Sequence, residues 1–105
     1  MNINTLTIKA QEALQAAATL AKERGSQAIE PVHLLGVLIR EDDSLCTFLL
    51  GRVGINVRGL RGEVEQAIAS LPKVSGGGDQ FFSQDTTKVI QRAVDFTKNF
   101  NDKYA

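Results

Sequence analysis

The sequence predicts an all-α protein, a small bundle of helices. Apolar residues recur three and four positions apart in one segment after another, which is the spacing of a helix face. Ser, Thr or Asn precedes several of these segments and Gly or Pro follows them, as at helix ends. No segment alternates apolar and polar residues over the length of a strand. With 105 residues, the chain fits a single domain with a modest core.

The first two helices are predicted before residue 40. Thr5 or Thr7 can cap the first helix, and Gly25 suits its end. The apolar face of this helix is rich in small side chains, namely Ala10, Ala13, Leu14, Ala17, Leu20 and Ala21. The pair Glu30-Pro31 opens the second helix, because proline favours the first helical position. That helix is apolar on most sides, so we expect it to be buried.

Two further helices follow the polar turn after residue 39. Ser44 can cap a short third helix that ends at Gly54, and Asn56 can cap a fourth helix that Pro72 stops. The stripe of the fourth helix is Val57, Leu60, Val64, Ala67, Ile68 and Leu71.

A glycine-rich stretch separates these helices from the last one. We predict a flexible linker over residues 73–80 and a fifth helix capped by Ser83. The apolar residues of the fifth helix are Val89, Ile90, Ala93, Phe96 and Phe100.

The fifth helix resembles the first at a constant offset. The shift that takes Leu6 to Phe82 also takes Leu14 to Ile90. Two complete copies of a repeat as long as the shift from Leu6 to Phe82 would need more residues than the chain has. We therefore expect a truncated double repeat. Residues 1–75 form the first repeat of about four helices, and residues 76–105 form a linker and the first helix of an incomplete second repeat.

Composition and charge exclude several classes of function. Twelve basic and twelve acidic residues give no net charge, which argues against a nucleic-acid binder. One cysteine excludes an internal disulfide and a multi-cysteine zinc site, and one histidine argues against a hydrolase triad or a histidine-based metal cluster. We see neither a secretory signal nor a run long enough to span a membrane, so we expect a cytoplasmic protein.

The residues that could carry chemistry have simpler structural interpretations. Gly76-Gly77-Gly78 lacks the Lys and hydroxyl of a phosphate-binding loop, which favours a linker. His33 has no nucleophile at a suggestive spacing, which favours a structural histidine near a helix start. Cys46 fits a small buried apolar position.

A basic cluster surrounds the junction of the third and fourth helices. Arg52, Arg58 and Arg61 flank a helix–Gly–helix segment that partly resembles a DNA-binding helix-turn-helix. Neighbouring Asp and Glu residues cancel much of its field, so a solvated face is the favoured interpretation.

Two stretches resemble the opening of a Clp N-terminal repeat. They are Leu6-Thr7-Ile8-Lys9-Ala10-Gln11-Glu12-Ala13-Leu14 and Ile29-Glu30-Pro31-Val32-His33-Leu34-Leu35. Gly54-Ile55-Asn56-Val57 sharpens the match. Ser70-Leu71-Pro72-Lys73-Val74-Ser75-Gly76-Gly77 is more similar to the ClpB-type AAA+ disaggregases than to the ClpA or ClpC types, which work with proteases. The resemblance covers the whole chain.

The resemblance implies a fold and a role. The family domain is an all-helical pair of four-helix repeats that binds unfolded or aggregated polypeptides and is tethered to hexameric ATPase rings. In the family, a threonine near the start of the first helix and an aspartate in the loop after the fifth helix border the substrate surface. By motif, these two residues correspond to Thr7 and Asp102. A further family glutamate would lie beyond Ala105. The structural interpretation is that Thr7 only caps its helix and that Asp102 only shapes a loop.

The resemblance also implies cofactors and partners. This chain would be non-catalytic and need no cofactor or metal, whereas its parent would use ATP and Mg²⁺. The parent would be a homohexamer that serves the heat-shock response with an Hsp70-type chaperone system, and would bind neither nucleic acid nor membrane.

Two alternatives stay open: an adaptor-binding N-domain of the ClpC or ClpA type, and an unrelated helical interaction module or, less favoured, a helix-turn-helix. We also expect self-association or another apolar contact through Phe96, Phe100 and Tyr104 of the fifth helix.

Overall fold

The fold is all-α, as the sequence predicts. A computed structural model describes residues 6–41, 43–74 and 78–104, and for residues 96–104 it describes the backbone alone. The helices are α1 (Ile8–Glu23), α2 (Pro31–Ile39), α3 (Leu45–Arg52), α4 (Val57–Ala69) and α5 (Gln84–Tyr104). In the described part of the chain, no helix is long and apolar enough to cross a membrane.

The predicted caps begin four of the five helices. The side-chain oxygens of Thr7, Ser44, Asn56 and Ser83 each accept a hydrogen bond from the backbone N–H three residues further on, at 3.1 Å in every case. Each of these bonds satisfies an amide that has no partner within its own helix. The sequence therefore predicts the helix starts correctly. It also predicts the two glycine stops, since Gly25 and Gly54 have φ values of +80° and +89°.

The core forms where α2 packs between α1 and α4. Ala17 and Ala21 of α1 are fully buried, and their small side chains let α2 approach closely. Gly36 of α2 has the same effect on the other side, because a Cβ there would lie 3.3 Å from the side chain of Val64 in α4. The buried apolar residues of the two core clusters are Ala17, Ala21, Ile29, Ile39, Val64 and Ile68.

Two short strands were not predicted. β1 (Ala28–Ile29) and β2 (Phe81–Phe82) pair in parallel, with Ala28 opposite Phe81 and Ile29 opposite Phe82. Each strand has two residues, which is too short to produce an alternating pattern. Each also lies directly before a helix, so this pairing brings the starts of α2 and α5 together.

The predicted linker at residues 73–80 is hydrogen bonded at both of its described ends. The Val74 N–H donates to the Gly25 carbonyl at 2.9 Å, and the Gln80 side-chain amide donates to the Ala18 carbonyl at 2.8 Å. Acceptors in α1 and in the loop after it thus contact both of these ends, and the flexibility of the linker stays a prediction.

Helix α5 starts in the same way as α1. Thr7 and Ser83 are equivalent caps, and Leu14 and Ile90 at equivalent positions are both buried. These features support the repeat seen in the sequence, while the boundary between residues 75 and 76 stays a prediction. The side chains of Phe96, Phe100 and Tyr104 lie outside the part that the structure describes.

The position of Asp102 differs from the expectation. We expected it in a loop after the fifth helix, but α5 continues to Tyr104 and includes it. The helix continues because neither Gly nor Pro occurs between Gln84 and Tyr104, and Asn and Asp disfavour a helix interior only weakly.

His33 has the structural role that the sequence predicts. Its ring is fully buried, and its Nδ1 accepts a hydrogen bond of 2.9 Å from the N–H of Glu30 at the start of α2. Burial lowers the pKa of His33 below 6.5; the charge of Glu30 partly opposes this effect, and the charge of Arg24 adds to it by a smaller amount. Protonation would also remove the lone pair that accepts the Glu30 N–H, so the fold requires the neutral ring.

We predict that acidification below about pH 6.5 destabilises the fold through His33. The lowered pKa means that the unfolded chain binds this proton more readily than the folded chain does. Stability from the neutral ring is therefore complete above about pH 6.5 and falls as the pH drops toward the folded-state pKa. Urea unfolding at pH 7.5 and pH 5.5 measures the effect. His33→Gln, which can still accept the Glu30 N–H, should lose most of this dependence. An equal pH slope in the variant would contradict the prediction.

We predict that the fully buried hydroxyl of Thr86 stabilises the docking of α5. Its Oγ1 donates to the Ile29 carbonyl at 2.7 Å, so Thr86→Val should lower the free energy of unfolding by about 1–2 kcal/mol with little change of shape. Thr87→Val is the matched control, because Thr87 is exposed on the same turn and should change stability by less than about 0.5 kcal/mol. Equal effects of the two substitutions in urea unfolding would contradict this role.

Candidate functional site

An apolar cleft lies between α1, α2 and α5. It has a volume of about 150 Å³, and every residue that lines it is apolar. The lining residues are Leu6, Ala10, Ala13, Leu14, Leu34, Leu38, Val89, Ile90 and Ala93. A cleft of this kind suits an apolar side chain of another molecule, since its walls offer no charge to satisfy.

The depth of the cleft follows from the side chains at its walls. Ala10 and Ala13 are small, so α1 leaves open space where larger residues would fill it. Leu14 and Ile90 are buried at the base, whereas Val89 keeps 45% of its surface exposed. Apolar surface is therefore in contact with water at the mouth, and covering it would be favourable by about 25 cal/mol per Å².

Thr7 lies at one end of this cleft. It is exposed, it caps α1, and it follows Leu6, which lines the cleft. The side-chain amide of Gln11 donates to the Leu6 carbonyl at 3.0 Å and so holds the chain before Thr7 against α1. The Thr7 hydroxyl oxygen accepts the Ala10 N–H, which leaves the hydroxyl proton able to donate to a carbonyl of a bound chain.

Asp102, the second predicted site residue, lies in the last turn of α5. Its side chain is outside the described part of the structure, so the predicted common rim of Thr7 and Asp102 stays a prediction. Sequence reasoning predicted Thr7 at a helix start but assigned none of the cleft residues to a binding groove. The sequence feature that could have indicated the cleft is the row of alanines on α1. Such a row is equally consistent with close helix packing and with an open cleft.

The other residues considered from the sequence lie outside this cleft. Both nitrogens of His33 are inaccessible to a substrate, because the ring is fully buried. Cys46 is half-buried rather than buried.

The basic cluster is not one solvated face, because the half-buried Arg61 donates from Nε to the Ile39 carbonyl at the end of α2. Arg52 instead lies over the ring of Phe48, 5.9 Å from its centre. Among the side chains that the structure describes, no group of three His, Cys, Asp or Glu residues is placed to hold a metal ion.

Comparison with known proteins finds relatives of similar sequence. The model of the Clp repeat (R) N-terminal domain matches residues 5–105. The chain is 44% identical over 104 residues to the chaperone protein ClpB of Porphyromonas gingivalis and 38% identical over 104 residues to that of Bacteroides thetaiotaomicron. It is 32% identical over 108 residues to ClpB of Clostridium tetani.

Each of these alignments covers 99% of this chain and 12% of the relative. The chain thus spans about one eighth of the length of the chaperones it matches. Both the family model and these alignments extend over nearly every residue of the chain. The chain therefore belongs to the Clp repeat N-terminal domain family.

Proposed function

We propose that this domain binds unfolded or aggregated polypeptides for a ClpB-type, ATP-dependent disaggregase. The observation that carries the proposal is the apolar cleft between α1, α2 and α5, with the exposed hydroxyl of Thr7 at its end. Unfolded clients share exposed apolar side chains and backbone carbonyls but no fixed shape. An apolar cleft with a polar group at its end can hold such segments weakly and without reading their sequence.

The chemistry of the domain in this proposal is binding alone. ATP and Mg²⁺ would belong to the ATPase rings of the parent, which would be a cytoplasmic homohexamer working with an Hsp70-type system. Weak binding suits a tethered domain, because the tether raises the local concentration of the client near the rings. An adaptor-binding role of the ClpC or ClpA type is the second candidate. The sequence Leu71-Pro72-Lys73-Val74 and the ClpB relatives favour the first.

Placing a charge in the cleft tests the proposal directly. Val89→Glu puts a carboxylate among apolar walls but replaces a side chain that is 45% exposed, so the fold should tolerate it. We expect it to weaken binding of a reduced and alkylated, permanently unfolded protein at least about 10-fold, because desolvating the charge opposes burial of the client. Fluorescence anisotropy of the labelled client measures the affinity.

Val53→Glu is the matched control for this experiment. Val53 is the same residue type, it is 73% exposed, and it lies at the end of α3, away from the cleft. It should leave client binding within about 2-fold of the unchanged chain. Loss of binding in Val53→Glu with normal binding in Val89→Glu would contradict the assignment of the cleft.

A second pair of variants distinguishes a role of Thr7 in client binding from a role in helix capping alone. Thr7→Ala and Asn56→Ala each remove an exposed helix cap, so each should cost about 0.5–2 kcal/mol of stability. Client binding should weaken in Thr7→Ala alone and recover in Thr7→Ser, which keeps the hydroxyl. Asp102→Ala should weaken client binding with little loss of stability. The same variants in the full-length disaggregase should slow recovery of a heat-aggregated client. Equal binding by Thr7→Ala and Asn56→Ala would leave Thr7 as a cap only.

A further inference from the structure

The outer side of α3 is an exposed apolar surface that the proposed function does not use. Leu45, Phe48, Leu49 and Val53 keep 71%, 59%, 51% and 73% of their surface exposed. Their spacing of three and four positions places them on one side of the helix. We call these four residues the α3 face. Leu50, which lies outside this face, packs against the core cluster of Ile39, Val64 and Ile68.

This arrangement reverses the usual amphipathic pattern. A surface helix normally turns its apolar stripe toward the core, but no residue of α3 is buried. One leucine faces inward while four large apolar side chains face water. A contiguous patch of this kind is typical of an interaction surface.

Charges at the two ends of the α3 face have opposite signs. Glu41 and Asp43 are exposed just before the helix start, and Arg52 is exposed in the last turn with its guanidinium over Phe48. In an antiparallel pair of α3 helices, Arg52 of each copy would lie beside the acidic residues at the helix start of the other copy. The two-fold symmetry would make this contact occur twice. The opposed helix dipoles would add to the attraction.

We propose that two copies of this domain pair through their α3 faces, antiparallel about a two-fold axis near Phe48 and Leu49. A second copy matches both the apolar stripe and the charges at its ends. An unfolded client has no fixed charges to meet Glu41, Asp43 and Arg52 together. Since a stable interface buries roughly 1,200–2,000 Å² and α3 offers two turns of helix, the pairing is weak and forms at high local concentration.

Sedimentation equilibrium of the chain from about 10 µM to 1 mM tests the pairing. The unchanged chain should shift from monomer toward dimer across this range. Leu49→Asp should weaken association at least about 10-fold, because it places a carboxylate next to its own symmetry mate. Ile8→Asp is the matched control. Ile8 is 74% exposed on α1, so its replacement should leave the dissociation constant within about 2-fold. Circular dichroism verifies that both variants are folded.

Charge reversal tests the orientation of the helices. Arg52→Glu should weaken association about 5-fold or more, because it faces acidic groups of the partner. Adding Asp43→Arg to the same chain should restore association, since the exchanged charges are again complementary. An antiparallel pair alone gives this recovery, so a double variant that stays as weak as Arg52→Glu would overturn the proposed orientation.

Three results would overturn the pairing itself. The first is a chain that stays monomeric at 1 mM. The second is association that persists unchanged in Leu49→Asp, which would assign it to another surface, such as the helix end that carries Phe96, Phe100 and Tyr104. The third is a monomeric chain in which Leu49→Asp abolishes binding of an unfolded client, which would make the client the occupant of the α3 face. In that last case, normal client binding by Val89→Glu would also contradict the proposed function, so the two failures are distinguishable.

Discussion

The arrangement of this domain depends on the backbone carbonyl of Ile29. It accepts hydrogen bonds from the N–H of Ser83 at 3.1 Å and from the hydroxyl of Thr86 at 2.7 Å, both at the start of α5. The Ile29 side chain is buried against Ala17 and Ala21 of α1 at the same point. One residue thus fixes the start of α5 relative to α1 and α2, and the apolar cleft exists because these three helices are held in this order.

Small residues determine how close the helices come and where space remains. Ala17, Ala21 and Gly36 lie at contacts that are filled, and they let α2 pack tightly between α1 and α4. Ala13 and Ala10 lie one and two turns nearer the start of α1 than Ala17, where α5 does not fill the space, and there the same residue type produces an open wall. The core and the candidate binding cleft are therefore two ends of one alanine-rich face.

The domain has two apolar surfaces of different character. The cleft is concave, uncharged and placed beside the Thr7 hydroxyl, which suits segments of varied sequence. The α3 face is convex and has acidic and basic ends, which suits a partner with one defined arrangement of charges. Separate surfaces would let the domain hold a client and contact a second copy at once.

The sequence by itself determined the helical class, the caps at Thr7, Ser44, Asn56 and Ser83, the stops at Gly25 and Gly54, and the structural role of His33. These features depend on residues within a few positions of one another, where propensity, capping and backbone conformation act. Tertiary structure alone decided the β1–β2 pairing, the bonds of Thr86 and Gln80 to distant carbonyls, and the division of α1 into filled and open halves. It also decided that the apolar side of α3 faces water, since helical periodicity defines a face but not what covers it. Those outcomes depend on which segments meet, and contacts between residues 50 or more positions apart leave no local pattern in a single sequence.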